Sequence, residues 1–311
     1  MNGNGFTRAD VLRLAGTLGI AGLFGRQARG QQSSEKALMQ TRTIPSSGEK
    51  LPVVGCGTWQ TFDVGADAAA RKQLAAVLTT LFDAGGSVID SSPMYGTSED
   101  VTGGIVAELG ARQKAFLATK VWTRGREAGV KQIERSMQLL RTDKLDLMQV
   151  HNLLDWRIHL ATLRDLKSKG RIRYLGVTHY TSSAYPELEA VLRSEKLDFV
   201  QVNYSADDRA AEDRILPLAA DRGMAVLINL PFGGGGFLRR LRSRPLPQWA
   251  DEIGCRSWAQ VLLKFVLGNP AVTCVIPGTS NPDHMRENAQ AGTGAVASEA
   301  QRKRIVAELN G

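Results

Sequence analysis

The sequence predicts an α/β protein, a (β/α)8 TIM barrel with an N-terminal β-hairpin closing the bottom. Apolar runs typical of buried strands alternate eight times with helical patterns after residue 40. Eight such units in roughly 270 residues match a closed barrel in number and length. A doubly wound open sheet is the alternative, but the glycine-rich dinucleotide fingerprint that follows its first strand is missing.

Eight apolar runs predict the barrel strands. In chain order they are VVGCGT, SVIDSS, AFLATKV, LDLMQVH, IRYLGVTH, DFVQVNY, MAVLINL and VTCVIPGT. Ahead of them, TIPSSGEKLPVVG predicts two short strands joined by a Ser-Gly turn. A hairpin at this place would plug the bottom of the barrel.

Helical spacing separates the strands. Two sets of apolar residues step at i, i+3, i+4, i+7 and i+8, as on one face of a helix: Leu74, Val77, Leu78, Leu81, Phe82 and Trp258, Val261, Leu262, Phe265, Val266. Val130, Ile133, Met137 and Leu140 form a narrower stripe. A final helix is predicted at about residues 298–309.

Residues 1–40 differ from the barrel domain, which we assign to residues 41–311. The stretch TRADVLRLAGTLGIAGLF has a basic start, is apolar and is followed by polar residues, which is typical of a signal peptide. It resembles a twin-arginine export signal, although Ala9 stands in place of the second arginine. We expect export to the periplasm if the signal works. The alternatives are a disordered or membrane-lying segment and a cytoplasmic protein; no other membrane domain is predicted.

The basic charge of the chain does not predict nucleic-acid binding. The formal net charge is +8, but the Lys and Arg residues are spread along the chain and no known nucleic-acid module is present. The one dense cluster is Arg239, Arg240, Arg242 and Arg244. It is either a solvated loop or a binding site for a small anion such as a nucleotide phosphate. The three cysteines have no metal-ligand spacing, so no metal site is predicted.

Four polar residues end or follow three of the predicted strands. Asp90, Tyr95, Lys120 and His151 come from the segments VIDSSPMYG, FLATKVW and LMQVHN. A polar residue ending a buried strand costs free energy unless it has a use. Because the strands of a barrel present their carboxyl ends at one face, these side chains are predicted to share one site.

This set of residues suits proton donation to a carbonyl oxygen. A tyrosine, with a pKa of about 10, is a poor acid at neutral pH, and a nearby ammonium such as that of Lys120 lowers this pKa. Asp90 would keep Lys120 charged, and a neutral His151 would hold the carbonyl oxygen. Because no side chain donates hydride, reduction of an aldehyde or ketone requires a nicotinamide cofactor.

From about Thr41 to about Asn288 the chain resembles the aldo-keto reductase family. The motifs GCGTW, VIDSSPMYG, LATK and QVHN carry the resemblance, and GVTHY, QVNY and VIPGTSNPDHMREN follow in the order of the family. The resemblance implies an NAD(P)H-dependent carbonyl reductase that forms alcohols from small aldehydes or ketones, with Tyr95 as general acid. It also implies a monomer.

The resemblance further implies a cofactor that lies extended across the barrel mouth. Thr178, His179 and Gln201 would hold the nicotinamide carboxamide, and residues 277–288 the adenosine end. The complete set of expected cofactor contacts is Thr58, Thr178, His179, Gln201, Asn229, Leu230, Gly233, Gly278, Thr279, His284, Glu287 and Asn288. Trp59 and Trp122, on the loops after the first and third strands, would line the substrate pocket.

The chain departs from the family pattern mainly at the cofactor. His179 replaces the usual asparagine, and Asn229 replaces a tyrosine that often stacks on the nicotinamide. Residues 278–283 contain no Lys or Arg, and His284 stands where an arginine is common. Charge-assisted hydrogen bonds supply much of the preference for a 2′-phosphate over a hydroxyl, and few basic residues are available here to make them. We therefore expect NADPH as the cofactor, NADH as a possible one, and a weaker preference for NADPH over NADH than is normal in the family.

Two further features concern the loops around the barrel mouth. The chain ends soon after the last predicted helix, without the long carboxyl-terminal loop of many members, so we expect an open and less selective pocket. The glycine run at residues 233–236 is either a flap over the cofactor pyrophosphate or an ordinary flexible loop.

Two other functions compete with carbonyl reduction. A barrel that binds the nicotinamide nucleotide as a sensor or regulatory subunit, with little turnover, is compatible with the changes at His179 and Asn229. A phosphate-binding lyase or isomerase is disfavoured, because the sequence has no Schiff-base setting and no metal cluster.

Overall fold

The structure, a computed structural model, describes residues 38–310. The predicted signal-like segment lies outside these residues except for its last three. The strands are β1 Thr41–Thr43, β2 Lys50–Pro52, β3 Cys56–Gly57, β4 Val88–Asp90, β5 Phe116–Val121, β6 Leu145–His151, β7 Ile172–His179, β8 Phe199–Asn203, β9 Ala225–Asn229 and β10 Cys274–Val275. The α-helices are α1 Ala68–Asp83, α2 Ser98–Glu108, α3 Arg126–Leu139, α4 Trp156–Ser168, α5 Tyr185–Ser194, α6 Ile215–Asp221, α7 Gly236–Leu241, α8 Trp258–Leu267, α9 Pro282–Ala291 and α10 Glu299–Asn310.

Strands β3 to β10 form one parallel sheet in chain order. Parallel bridges from Val54 to Val275 and from Gly57 to Gly278 bring the last strand beside the first. Each of the eight predicted runs contains one of these strands, with helices between them. The predicted (β/α)8 barrel is therefore confirmed over the open sheet.

The N-terminal hairpin lies at the bottom of the barrel, as predicted. β1 and β2 pair antiparallel, with Arg42 opposite Leu51. Ile44 and Leu51 are buried, and they belong to the same apolar cluster as the inward-facing strand residues, among them Phe116 and Phe199. The barrel interior is thus filled from below by hairpin side chains.

The helices pack their predicted apolar faces onto the outside of the sheet. Leu74, Val77, Leu78 and Leu81 of α1 are buried, and α8 is buried along its whole length. The N-cap side chain of each of these two helices accepts hydrogen bonds from free backbone N–H groups of the first turn. Asp67 accepts from Ala69 and Ala70, and Ser257 accepts from Gln260. The final helix, α10, falls where it was predicted.

The strand register places the polar residues at the strand ends at about the same height along the barrel axis. Asp90 lies opposite Gly57 and Ala118, and Lys120 lies opposite Gln149. On the next strands, His151 is opposite Thr178, which is opposite Gln201 in turn. The carboxyl-terminal face of the barrel therefore collects the residues that the sequence singled out.

Neither a membrane helix nor a metal cluster occurs in the described part of the chain. No helix there is long and apolar enough to span a bilayer. No group of three or more His, Cys, Asp or Glu side chains in residues 38–310 is placed to hold a metal ion. Cys56, Cys255 and Cys274 are free and buried.

Candidate active site

A buried ion pair forms the base of the site. Lys120 Nζ donates to Asp90 Oδ2 at 2.6 Å and to the Ser91 carbonyl at 2.7 Å. The exposed fractions of the two side chains are small, with Lys120 fully buried. Burial lowers the pKa of the Lys120 ammonium, but attraction to Asp90, with a smaller contribution from Tyr95, outweighs burial and raises it. Lys120 is therefore a fixed positive charge.

The second carboxylate oxygen of Asp90 is held by two amides. Gln201 Nε2 donates to Asp90 Oδ1 at 2.9 Å, and Gln149 Nε2 donates to the same atom at 3.3 Å. Gln201 Oε1 accepts from the Thr178 hydroxyl at 3.2 Å. Gln201, expected to hold the carboxamide, thus also braces Asp90. Sequence reasoning did not single out Gln149, although its place two residues before His151 puts it on the inner face of the same strand.

Tyr95 stands over the ion pair. Lys120 Nζ lies 5.1 Å from the centre of the Tyr95 ring. Burial raises the pKa of Tyr95, and the opposing effect of the Lys120 charge does not cancel it. The net direction is opposite to the one expected from the Lys120 charge alone. Tyr95 is consequently protonated at neutral pH, which is the state that a proton donor needs.

His151 is a neutral imidazole in this site. Burial, together with the positive charge of Lys120, lowers its pKa to about 3. Its ring is perpendicular to that of Tyr95, with 6.1 Å between the ring centres. Ser92 Oγ lies 3.2 Å from His151 Nδ1. When the Ser92 hydroxyl donates to Nδ1, the ring carries its proton on Nε2 and that N–H can donate to a carbonyl oxygen.

The depressed pKa of His151 predicts a pH dependence of stability. The unfolded chain binds this proton near the ordinary pKa of about 6.5, whereas the folded chain does not. Stability from this group is therefore complete above pH 6.5 and is lost as the pH falls toward 3, by at most about 1.4 kcal/mol per pH unit. We expect His151→Asn to flatten this part of the curve of unfolding free energy against pH.

The comparison between wild type and variant isolates His151, because the carboxylates contribute equally to both curves. Chemical denaturation at several pH values between 4 and 7.5 measures the two curves. Parallel curves would contradict a depressed pKa.

A cavity of about 520 Å³ is lined by Asp90, Tyr95 and His151, whereas the fully buried Lys120 is not on its wall. Four large side chains at its mouth are exposed, namely Trp59, Met94, Trp122 and Tyr180. Gln132 holds the backbone of Trp122 from both sides: its Oε1 accepts from Trp122 N at 2.6 Å and its Nε2 donates to Trp122 O at 3.3 Å. The two predicted substrate-contacting tryptophans thus lie at the pocket mouth.

A second cavity of about 540 Å³ continues from the first. The two share Phe232, Gly235 and Gly278, so they form one groove along the barrel mouth. Ten of the twelve expected cofactor contacts line it. Those in the catalytic cavity are Thr58, Thr178, Gln201, Asn229, Leu230 and Gly278, and those in the distal cavity are Gly278, Thr279, His284, Glu287 and Asn288.

His179 and Gly233 are not on the groove wall. His179 Nδ1 accepts from the backbone N–H groups of Tyr180 at 3.1 Å and Thr181 at 3.2 Å, which directs this edge of the ring toward the loop. A Cβ atom on Gly233 would lie 2.3 Å from an Asp207 oxygen, so Gly233 faces that loop. Tyr180 and the next two glycines, Gly234 and Gly235, line the groove instead.

Two amide oxygens in the catalytic cavity have no partner. Asn152 Oδ1 and Asn229 Oδ1 are buried and accept no hydrogen bond from any described residue. An unpaired buried acceptor is costly unless a ligand supplies a donor. The groove therefore fits a nicotinamide nucleotide, whose carboxamide and ribose hydroxyls are donors. Asn152 escaped sequence reasoning because its position depends on a left-handed backbone, φ 53°, directly after His151.

Known proteins resemble the chain over nearly the whole barrel. The profile of the Aldo/keto reductase family matches residues 53–308. Methylglyoxal reductase YeaE of Escherichia coli (strain K12) is 32% identical over 260 residues, which cover 81% of this chain and 89% of that protein. The NADH-specific methylglyoxal reductase of the same strain is 28% identical over 222 residues, covering 60% and 65%. An aldo-keto reductase from Klebsiella pneumoniae, crystallised with NADPH, superposes with a TM-score of 0.73 at 27% identity and covers 88% of this chain and 94% of its own.

Proposed function

The chain belongs to the aldo/keto reductase family and is an NAD(P)H-dependent oxidoreductase that reduces aldehydes or ketones, and we propose that it acts on small 2-oxoaldehydes such as methylglyoxal. The observation that carries the chemistry is the buried Asp90–Lys120 pair beneath a protonated Tyr95 and a neutral His151. The names of two relatives, both methylglyoxal reductases, support the substrate class. Neither of these relatives is named as a nucleotide sensor.

We assign the four residues distinct parts in the reaction. A nicotinamide cofactor held in the groove would supply hydride to the carbonyl carbon. His151 Nε2–H donates a hydrogen bond to the carbonyl oxygen and orients it. Tyr95 transfers its phenolic proton to that oxygen as negative charge develops there, and Lys120 stabilises the resulting phenolate. Asp90 holds Lys120 in place.

The cavity suits a small dicarbonyl compound. The aromatic side chains at the mouth of the cavity are exposed, so a small carbonyl compound can reach His151. Asn152, the residue after His151, adds a neutral polar side chain to the cavity wall. We propose that the Asn152 amide donates to the second carbonyl oxygen of the substrate. A neutral hydrogen bond of this kind discriminates against a substrate that lacks the second oxygen.

Methylglyoxal and propanal, which lacks the second oxygen, test the substrate class. We expect kcat/KM to be about tenfold or more higher for methylglyoxal, followed through cofactor absorbance. Asn152→Gly should remove this difference, because glycine keeps the left-handed backbone and removes the amide. Equal kcat/KM for the two aldehydes in the wild type, after correction for the hydrated fraction of each, would contradict the proposal.

For the cofactor we propose NADPH, with NADH also accepted. The lack of Lys and Arg at residues 278–283 supports a modest preference, and the pairing of Arg286 with Asp283 removes another nearby cation. One relative is crystallised with NADPH and another is named as NADH-specific. Values of kcat/KM with each cofactor measure the preference. A preference above about a thousandfold for NADPH would contradict this proposal.

We also propose that the protein is an exported monomer. Support for export is the signal-like sequence before residue 40, and support for a monomer is the family resemblance. Cell fractionation of the full chain and of a form starting at residue 38 tests the first point, and sedimentation tests the second. Retention of the full chain in the cytoplasm would contradict export.

A further inference from the structure

Four arginines outside the expected cofactor segment line the distal cavity, namely Arg239, Arg242, Arg244 and Arg256. Arg239 lies on α7, Arg242 directly follows that helix, and Arg256 precedes α8. They therefore come from two chain segments and meet around one cavity. Of the segment 278–283, Gly278 and Thr279 line this cavity, and the whole segment contains no Lys or Arg.

The guanidinium groups of Arg239, Arg242 and Arg256 are unpaired. None forms an ion pair or a side-chain hydrogen bond with another described residue. Arg244, the fourth arginine of the cavity wall, donates to the Glu308 carbonyl, and Arg240, which is not on the wall, stacks over the Phe237 ring at 5.4 Å. Glu287 is the one carboxylate on the cavity wall. The wall therefore carries an excess of positive charge facing the cavity.

We propose that Arg239, Arg242 and Arg256 bind the 2′-phosphate of NADPH in place of the basic residue missing from residues 278–283. This inference rests on the proposed function in that it takes the occupant of the groove to be a nicotinamide nucleotide. Guanidinium groups suit this role because they donate two parallel hydrogen bonds to phosphate oxygens. The three arginines are thus specificity-determining residues for the cofactor.

The position of the arginines favours the 2′-phosphate over the pyrophosphate. A pyrophosphate linking the two ends of the cofactor would lie where the cavities join, at Phe232, Gly235 and Gly278. The three arginines line only the distal cavity, together with Glu287 and Asn288, the expected adenine contacts. They lie at the end of the groove where NADPH and NADH differ.

The exposure of the arginines sets the size of the effect. All three are exposed to solvent. Exposed charge pairs are weakened by water and salt. We therefore expect the wild type to prefer NADPH by about 10- to 100-fold in kcat/KM, and the triple variant R239Q/R242Q/R256Q to show a ratio within about threefold of unity. The loss should appear as a higher KM for NADPH, with kcat and the KM for NADH unchanged.

Arg240→Gln is the matched control. It removes the same charge from the same helix, but Arg240 stacks on Phe237 and is not on the cavity wall. It should keep the wild-type ratio of the two cofactors. A loss shared equally by NADPH and NADH in the triple variant would overturn the proposal and place the arginines at the pyrophosphate. An unchanged ratio would overturn it as well.

Calorimetry separates this inference from the proposed function. Adenosine 2′,5′-bisphosphate and adenosine 5′-monophosphate are titrated into the full chain without any carbonyl substrate. We expect the wild type to bind the bisphosphate at least about tenfold more tightly than the monophosphate. We expect the triple variant to bind the two nucleotides with equal affinity. If this binding result is obtained but the protein does not reduce carbonyl compounds, the arginine site is supported and the proposed function is contradicted. If the protein reduces carbonyl compounds but the triple variant binds the bisphosphate as tightly as the wild type does, the arginine site alone is overturned.

Discussion

Tyr95→Phe should lower kcat for carbonyl reduction by about 10²- to 10⁴-fold, the range typical of a general acid. The substitution removes one hydroxyl and keeps the ring that packs against Lys120 and His151. Cofactor binding should therefore be unchanged. Steady-state kinetics with methylglyoxal and calorimetry with NADP⁺ measure the two quantities.

Tyr174→Phe is the control for this experiment. Tyr174 also carries a bonded hydroxyl, which contacts Glu49 and Ser47, but it lies at the hairpin end of the barrel. We expect its kcat to stay within about twofold of the wild type, since it touches no reacting group. A Tyr95→Phe enzyme with nearly full kcat would show that another group donates the proton.

Lys120→Met should both inactivate and destabilise the protein. It leaves the Asp90 carboxylate buried without its cation, which costs about 3–5 kcal/mol of unfolding free energy. It also removes the charge that stabilises the Tyr95 phenolate. Urea unfolding and kinetics measure both effects. Lys169→Met, which breaks an exposed ion pair to Asp165, should cost less than about 1 kcal/mol and leave kcat unchanged.

The double variant Asp90→Asn/Lys120→Met separates charge from packing. Without either charge, the main source of destabilisation is gone, so most of the lost stability should return. Activity should not return, because no cation remains beside Tyr95. Recovery of activity together with stability would mean that the ion pair serves only the fold.

The barrel and its buried site could be predicted because they depend on strong, repeated patterns. Each strand lies in a run that is mostly apolar, and a polar residue at its carboxyl end faces the carboxyl-terminal mouth of the barrel. Asp90, Lys120 and His151 are fixed by strand register alone. Their neighbour Gln149 obeys the same rule and was within reach of sequence reasoning.

The rim of the site could not be predicted because it depends on loop conformation. His179 ends β7, yet two backbone N–H groups of the following loop capture one edge of its ring. Asn152 enters the cavity through a left-handed backbone. Arg239 and Arg256 belong to separate segments of the chain and line one cavity because α7 packs against α8. No residue pattern encodes these approaches.

The closure of the barrel between β3 and β10 gives the groove a mechanical role. Backbone hydrogen bonds join the two segments, with Gly55 N–H donating to the Val275 carbonyl and Val275 N–H to the Val53 carbonyl, and helices α1 and α9 pack on each other outside the junction. A Cβ atom on Gly57 would lie 2.8 Å from the Ile276 carbonyl, so a side chain is excluded there. Gly57 and Gly278, which face each other across this junction, both line the groove. A dinucleotide held in this groove would contact the first and last strands of the barrel together. Because a ligand that binds only the folded state stabilises it, cofactor binding would also oppose the opening of the barrel at this junction.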